Sequence, residues 1–266
     1  MTLRFRSLLA LALSVAAAGC GSTQQVRYAN AEEAYQRGEV ALERRDYDTA
    51  VQYFQGVFTF GRSDFSDDAQ LGLAHAYEGS RQYLLAANAY RAFYDVYQDD
   101  PRVPDAYLGQ AAALERQTTN FELDQTDTRS ALVIYQAYVE TFPTHARVPE
   151  AQARIVALVD RLAHKAYASG ALYERRGLDE AAGLTYERAF NAYPQSGWGD
   201  DALVGVLRSF TKYAEASIPA RQTERFQRGL AAYERLVQIF PQSPLRAEAD
   251  TWAERARTGL AAVAAR

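Results

Sequence analysis

The stretch GALYERRGLDEAAGLTYERAFNAYP (170–194) decides the fold. In it a small residue, Ala182, is followed four positions later by Tyr186 and seven after that by a second aromatic, Tyr193, with Pro194 directly behind. Those offsets place all three side chains on one face of a helix of 3.6 residues per turn. The proline ends that helix, because it lacks an N–H and clashes with the preceding turn. Eight residues beyond Pro194 stands Ala202, preceded by Asp201, a carboxylate suited to the positive first turn of the next helix.

The same offsets occur five times. The tyrosines are Tyr53, Tyr90, Tyr135, Tyr186 and Tyr233, each preceded four positions earlier by a small slot, Thr49, Ala86, Ala131, Ala182 or Gly229. Each is followed by Phe60, Tyr97, Phe142, Tyr193 or Phe240, and then by the acid-preceded alanines Ala69, Ala106, Ala151, Ala202 and Ala249. A repeat at fixed internal offsets signals a stack of identical supersecondary units. The unit resembles the tetratricopeptide repeat, and Gly170, Tyr173, Ala182, Tyr186, Ala189 and Pro194 all stand at that repeat's relative positions. In the first copy Gly38, Tyr47, Ala50 and Phe54 do the same. The expected fold is therefore all-α: a tetratricopeptide-like helix-turn-helix solenoid of five repeats plus a C-terminal capping helix.

The spacing between copies is unequal. From each acid-preceded alanine to the next small slot there are 17, 25, 31 and 27 residues, so the additions fall within or just after the first helix of a pair. QTTNFELDQTDTR (117–129) is polar and reads as a loop; so does ASIPARQ (216–222), because of its proline. Residues 150–174 stay periodic and are expected to form one helix of about 37 Å at 1.5 Å per residue. The segment 244–264 reads as the amphipathic cap.

The N-terminus carries a different message. Arg4 and Arg6 precede a short apolar run, Leu8 to Ala18, too short to span a bilayer and suited to an export signal. Ala17-Ala18-Gly19-Cys20 resembles a bacterial lipobox, and Cys20 is the single cysteine of the chain. Acylation there, palmitate included, would hold the mature protein on a membrane at about 0.8 kcal/mol per buried CH₂. Gly21 stands where an inner-membrane retention signal would place Asp, which favours the outer membrane, periplasmic face. The expected organisation is a signal peptide over 1–19, a lipidated linker over 20–27 and a repeat domain over 28–266, with N-terminal repeats 28–142 and C-terminal repeats 143–266. Without residues 1–19 the balance is 27 basic to 33 acidic residues, so nucleic acid is not an expected partner.

No chemistry-bearing constellation accompanies the repeats. The three histidines, His75, His145 and His164, never fall at i, i+3 or i, i+4, and with one cysteine no zinc cluster or Cys/His nucleophile assembles. Asp124 and Asp127 could hold a cation or simply solvate their loop. The tyrosine ladder, in strict helical register, belongs to the core rather than to a ligand cage. The expectation is a protein without catalytic residues, metal or cofactor beyond the lipid on Cys20. Binding surface remains. The first helices of a solenoid line its concave face, which makes Tyr35, Glu39, Leu71, His75 and Leu108 candidate peptide-binding residues; the alternative is that they fill the seam between repeats. Phe121 and Leu123, apolar in a polar loop, either tuck back onto the repeats or anchor a partner.

Together, the acylatable cysteine, five repeats, an insertion in the third and a stretched first helix in the fourth resemble the BamD family of lipoproteins of the outer-membrane β-barrel assembly machinery. Residues 129–177 carry the likeness most plainly, and it extends over about 28–241. The resemblance implies a non-enzymatic scaffold bound to the barrel-forming subunit and accessory lipoproteins through its C-terminal repeats. It also implies that the N-terminal repeats receive the targeting signals of unfolded outer-membrane proteins, their C-terminal strand signal, and so promote their folding and membrane insertion. An adaptor for cell-envelope enzymes, built on the same repeats, is the alternative.

Overall fold

A computed structural model of the chain describes residues 26–118 and 120–265. The leader and Cys20 lie outside the described residues. Within them the chain forms helices and no strand. They are α1 (Ala31–Glu43), α2 (Tyr47–Val57), α3 (Ser66–Gly79), α4 (Tyr83–Val96), α5 (Val103–Gln117), α6 (Thr126–Thr141), α7 (Val148–Arg175), α8 (Asp179–Ala192), α9 (Gly199–Glu215), α10 (Pro219–Ile239) and α11 (Arg246–Ala264), with a 3-10 turn at Phe58–Phe60. Consecutive helices pack on one another all along the chain, giving five hairpins and an unpaired last helix, a solenoid as the repeat spacing predicts.

The acid-preceded alanines are the seams of this stack: Ala69, Ala106, Ala151, Ala202 and Ala249 are all sealed from solvent. Ala86, Ala131, Ala182 and Gly229 are buried as well. The first copy departs from the predicted register. Thr49 is only half-buried, and the packing pair is Ala50 and Phe54, one residue later. Glycines settle the register, because a Cβ on Gly38 or Gly72 would come within 2.7 or 2.5 Å of the Phe54 ring. Tyr90 stands in the same relation to Gly109 at 2.6 Å, and Tyr186 is wedged between Gly170 at 2.6 Å and Gly205 at 2.7 Å. Each such ring contributes about 1.5–3 kcal/mol by burial. In the fifth hairpin Tyr233 is half-buried and donates to Asp250, while Ala232 and Leu236 fill the core.

Three hairpins close through one tight turn. The backbones of Arg45, Arg81 and Gly177 are left-handed, with φ of 60°, 62° and 70°. The following N–H groups, of Asp46, Gln82 and Leu178, reach back to the carbonyls of Ala41, Tyr77 and Tyr173 at 2.9, 2.8 and 3.1 Å, which caps the first helix of each pair. The third and fifth hairpins connect differently, and both expected loops shrink. The third runs only over 118–125, since Thr126 already starts α6. In the fifth, Pro219 begins α10 rather than breaking the chain, as suits a residue with fixed φ and no N–H in a first turn. Helix α7 has 28 residues, about 42 Å, and joins the two halves of the stack. Helix α11 turns Ala249, Ala253 and Ala256 inward and exposes Glu248, Asp250, Glu254, Arg255 and Arg257, the pattern of a cap. No helix among the described residues is long and apolar enough to cross a membrane.

Candidate peptide-binding groove

Hairpin stacking leaves a groove of about 440 Å³ between α3 and α5. Leu71, His75 and Glu78 form one wall, Ala106, Leu108, Gly109 and Ala112 the other, and Arg102 and Arg147 stand with Asp105 at one end. The structure thus brings three of the five predicted residues, Leu71, His75 and Leu108, to one place. They play different parts there. Leu108 is 3% exposed and belongs mainly to the core with Ala111, Tyr135 and Leu158, so it shows the groove only an edge. Leu71 is half-buried against the first core cluster. His75 is open to water, with its ring edge on Tyr90 at 5.9 Å. Enclosure in the concavity desolvates its imidazole and pushes its pKa below the ordinary 6.5 against the pull of Glu78; the open face limits that effect.

Tyr35 and Glu39 lie outside this groove, on α1. Tyr35 stacks on Phe65 at 5.5 Å and touches Phe54, a seam position. Glu39 is half-buried, and burial together with the carboxylates of Asp68 and Glu43 raises its pKa. Carboxylates thus gather where α1 meets α3.

A polar ladder ties the repeats together. Tyr90, Tyr135 and Tyr186 donate their hydroxyls to Glu78, Glu115 and Glu174 of the helix before, at 3.0, 2.9 and 2.9 Å. Each glutamate then meets a cation of the next first helix: Arg116 at 3.9 Å, Arg154 at 3.5 Å, and Arg208 with Lys212 at 2.6 and 3.0 Å. Arg208 reaches on to Glu248 at 2.7 Å, so it links α7, α9 and α11. Glu174 is the hub: burial pushes its pKa up, but Arg208, Lys212 and Tyr186 outweigh burial and bring it to about 2. Sequence reasoning passed over these glutamates. Two of them stand twelve residues before their tyrosine, a signal that the third loses because the inserted loop lengthens its separation to twenty.

The inserted loop answers the question of Phe121 and Leu123 separately. Phe121 tucks back and stacks on His164 at 3.7 Å, which stacks on Trp198 at 4.0 Å. Leu123 points outward, 57% exposed. Just beyond them the loop is knotted about Gln125, 1% exposed, whose Nε2 donates to the carbonyls of Asn120, Leu123 and Asp124 while its Oε1 accepts from Thr128. Lys165 of α7 pins it further by donating to the carbonyls of Glu122 and Leu123. His164 and Trp198 fall at no repeat position, so the periodicity gave no sign of this stack. Asp124 is held by Thr126, whose hydrogen bonds lower its pKa, and Asp127 lies in the first turn of α6. Among the described residues no three His, Cys, Asp or Glu side chains cluster to hold a metal ion.

Residues 27–217 match the family model YfiO, described as outer membrane lipoprotein. The chain belongs to this family. The matched span holds the first four hairpins and ends just beyond α9, so most of the last hairpin and the cap lie outside it. Among curated proteins, the chain is 24% identical over 177 residues to the outer membrane protein assembly factor BamD of Caulobacter vibrioides, covering 66% of this chain and 58% of that one. The chain thus spans less than two thirds of that relative. It is 25% identical over 187 residues to the protein of the same name from Haemophilus influenzae, covering 65% and 71%. Among solved structures, a TPR repeats protein from Bacteroides fragilis aligns over 87% of this chain and 99% of its own, at 14% identity and a TM-score of 0.48.

Proposed function

We propose that the chain is a non-enzymatic scaffold of the outer-membrane β-barrel assembly complex. Acyl chains on Cys20 hold it at the periplasmic face of the outer membrane. Its C-terminal repeats bind the barrel-forming subunit, and its N-terminal repeats receive the targeting signals of unfolded outer-membrane proteins on the way to insertion. The observation that carries this reading is the groove between α3 and α5, an open trough of mixed apolar and charged lining in a chain whose family is that of outer membrane lipoproteins. Such concave faces in helical repeats hold extended or helical peptides. The outward Leu123, on a loop held rigid by Gln125 and Lys165, supports a protein contact there, because a preorganised apolar side chain costs little further ordering entropy on binding.

Depletion in cells tests the reading. The level of folded outer-membrane barrels is expected to fall; unchanged barrels after depletion would remove the proposal. The anchor is tested separately by Cys20→Ser, which is expected to move the protein from the membrane to the soluble fraction. Retention of that variant on membranes would leave no role for the lipid.

A further inference from the structure

The charges around the α3/α5 groove say which part of a polypeptide it accepts. Three basic side chains face it, His75, Arg102 and Arg147, and both guanidiniums are already ion-paired with carboxylates of this chain. Arg102 donates to Asp67 at 2.7 Å, to Asp68, and to Asp100 at 2.9 Å from Nε and 2.7 Å from Nη2. Arg147 donates to Asp105 at 2.9 Å and, through Nε and Nη2, to both oxygens of Glu150 at 2.9 and 3.2 Å. Two guanidiniums are thus shared among five carboxylates, and Glu78, 3.9 Å from Arg116, lines the same groove. His75 is exposed, and desolvation on its inner side lowers its pKa from the ordinary imidazole value, which disfavours its charged form. Tyr35 and Glu39, on the neighbouring helix, feel the same excess, since Asp68 pushes the pKa of each upward in addition to burial.

A free carboxylate entering here would meet a negative field and would have to compete with five resident carboxylates for two guanidiniums. An apolar side chain, by contrast, finds the half-buried Leu71, Gly109 and Ala112, and a lysine or arginine beside it finds carboxylates. We infer that the groove takes an internal segment of an unfolded chain, an aromatic or aliphatic side chain flanked by basic residues, and does not read a C-terminal carboxylate. This rests on the proposed reception of unfolded precursors and narrows it.

The test uses the full mature protein in detergent and fluorescence anisotropy with short labelled peptides. All carry the same aromatic core; one ends in a free carboxylate, one is amidated, one is extended beyond the core, and versions of the last carry flanking Lys or Glu. The free-acid, amidated and extended peptides are expected to bind alike, within about twofold. Flanking Lys is expected to tighten binding by about fivefold over flanking Glu at low salt, a difference that shrinks as salt screens it. Leu71→Glu, at a half-buried wall position, is expected to weaken every peptide, with helical circular dichroism confirming that the variant is folded. Tenfold tighter binding of the free acid than of the amide would overturn the inference while leaving peptide reception intact. Binding by none of the peptides would instead remove peptide reception itself, and the inference with it.

Discussion

Replacing Glu174 with Gln tests whether the ladder of tyrosine, glutamate and arginine holds successive hairpins together. The carboxylate is 14% exposed and pairs with Arg208 and Lys212, while the Tyr186 hydroxyl donates to it. Glutamine keeps the shape and an acceptor for Tyr186 but removes the charge. The folded pKa of about 2 lies below the ordinary 4.5, so the ionised form is favoured by folding. That interval, at about 1.4 kcal/mol per pH unit, corresponds to roughly 3.5 kcal/mol. Arg208 keeps Glu248 at 2.7 Å in the variant, which lowers the expected cost to about 2–3 kcal/mol at neutral pH. Because the pKa is depressed in the folded state, the contribution is complete above about pH 5 and is lost as pH falls toward 2. At pH 3 the gap between the two proteins should have shrunk to roughly 1 kcal/mol. Urea unfolding followed by tryptophan fluorescence suits the measurement, since Trp252 lies beneath the Lys212 ammonium at 5.5 Å and Trp198 stacks on His164. A cost below about 0.5 kcal/mol at neutral pH, or one unchanged between pH 7 and pH 3, would show that the hub is surface decoration of the kind exposed ion pairs usually are.

Two further changes probe the hairpins. Arg81→Gly places at a left-handed turn position the residue that Gly177 already supplies in the fourth hairpin, and thermal unfolding should show a gain of roughly 1 kcal/mol; a loss would mean that the Arg81 side chain matters more than its backbone strain. Gly205→Ala puts a Cβ 2.7 Å from the Tyr186 ring, which is also confined by Gly170, so a loss of about 1–3 kcal/mol is expected in the same assay, and no change would mean the ring has room to shift.

The architecture was legible because five copies share offsets that only a helix face explains, and the alanine seams fall where those offsets put them. Periodicity could not choose between Tyr53 and Phe54, adjacent aromatics whose register differs by one; that choice is made by Gly38 and Gly72, which come close only once hairpins stack. Pro219 was misread because proline's effect as a breaker and its fitness for a first helical turn look alike in one sequence. The groove was partly legible. Leu71, His75 and Leu108 converge because first helices share the concave side, whereas Tyr35 and Glu39 sit one hairpin earlier, on α1. The saturation of Arg102 and Arg147 depends on carboxylates up to 42 residues away, and the stack of Phe121, His164 and Trp198 joins a loop to two hairpins, so neither has a local signature.

The central claim is that the concave groove holds unfolded outer-membrane precursors, and the most direct measurement is photo-crosslinking in living cells with the reactive residue placed at His75 and, as a control, at Val133. Val133, 58% exposed on α6, lies on the second helix of its pair. Adducts with β-barrel precursors at position 75 and few at position 133 are the result this account predicts. Equal adducts at both positions, or adducts at 75 with cell-wall enzymes in place of barrel precursors, would contradict it.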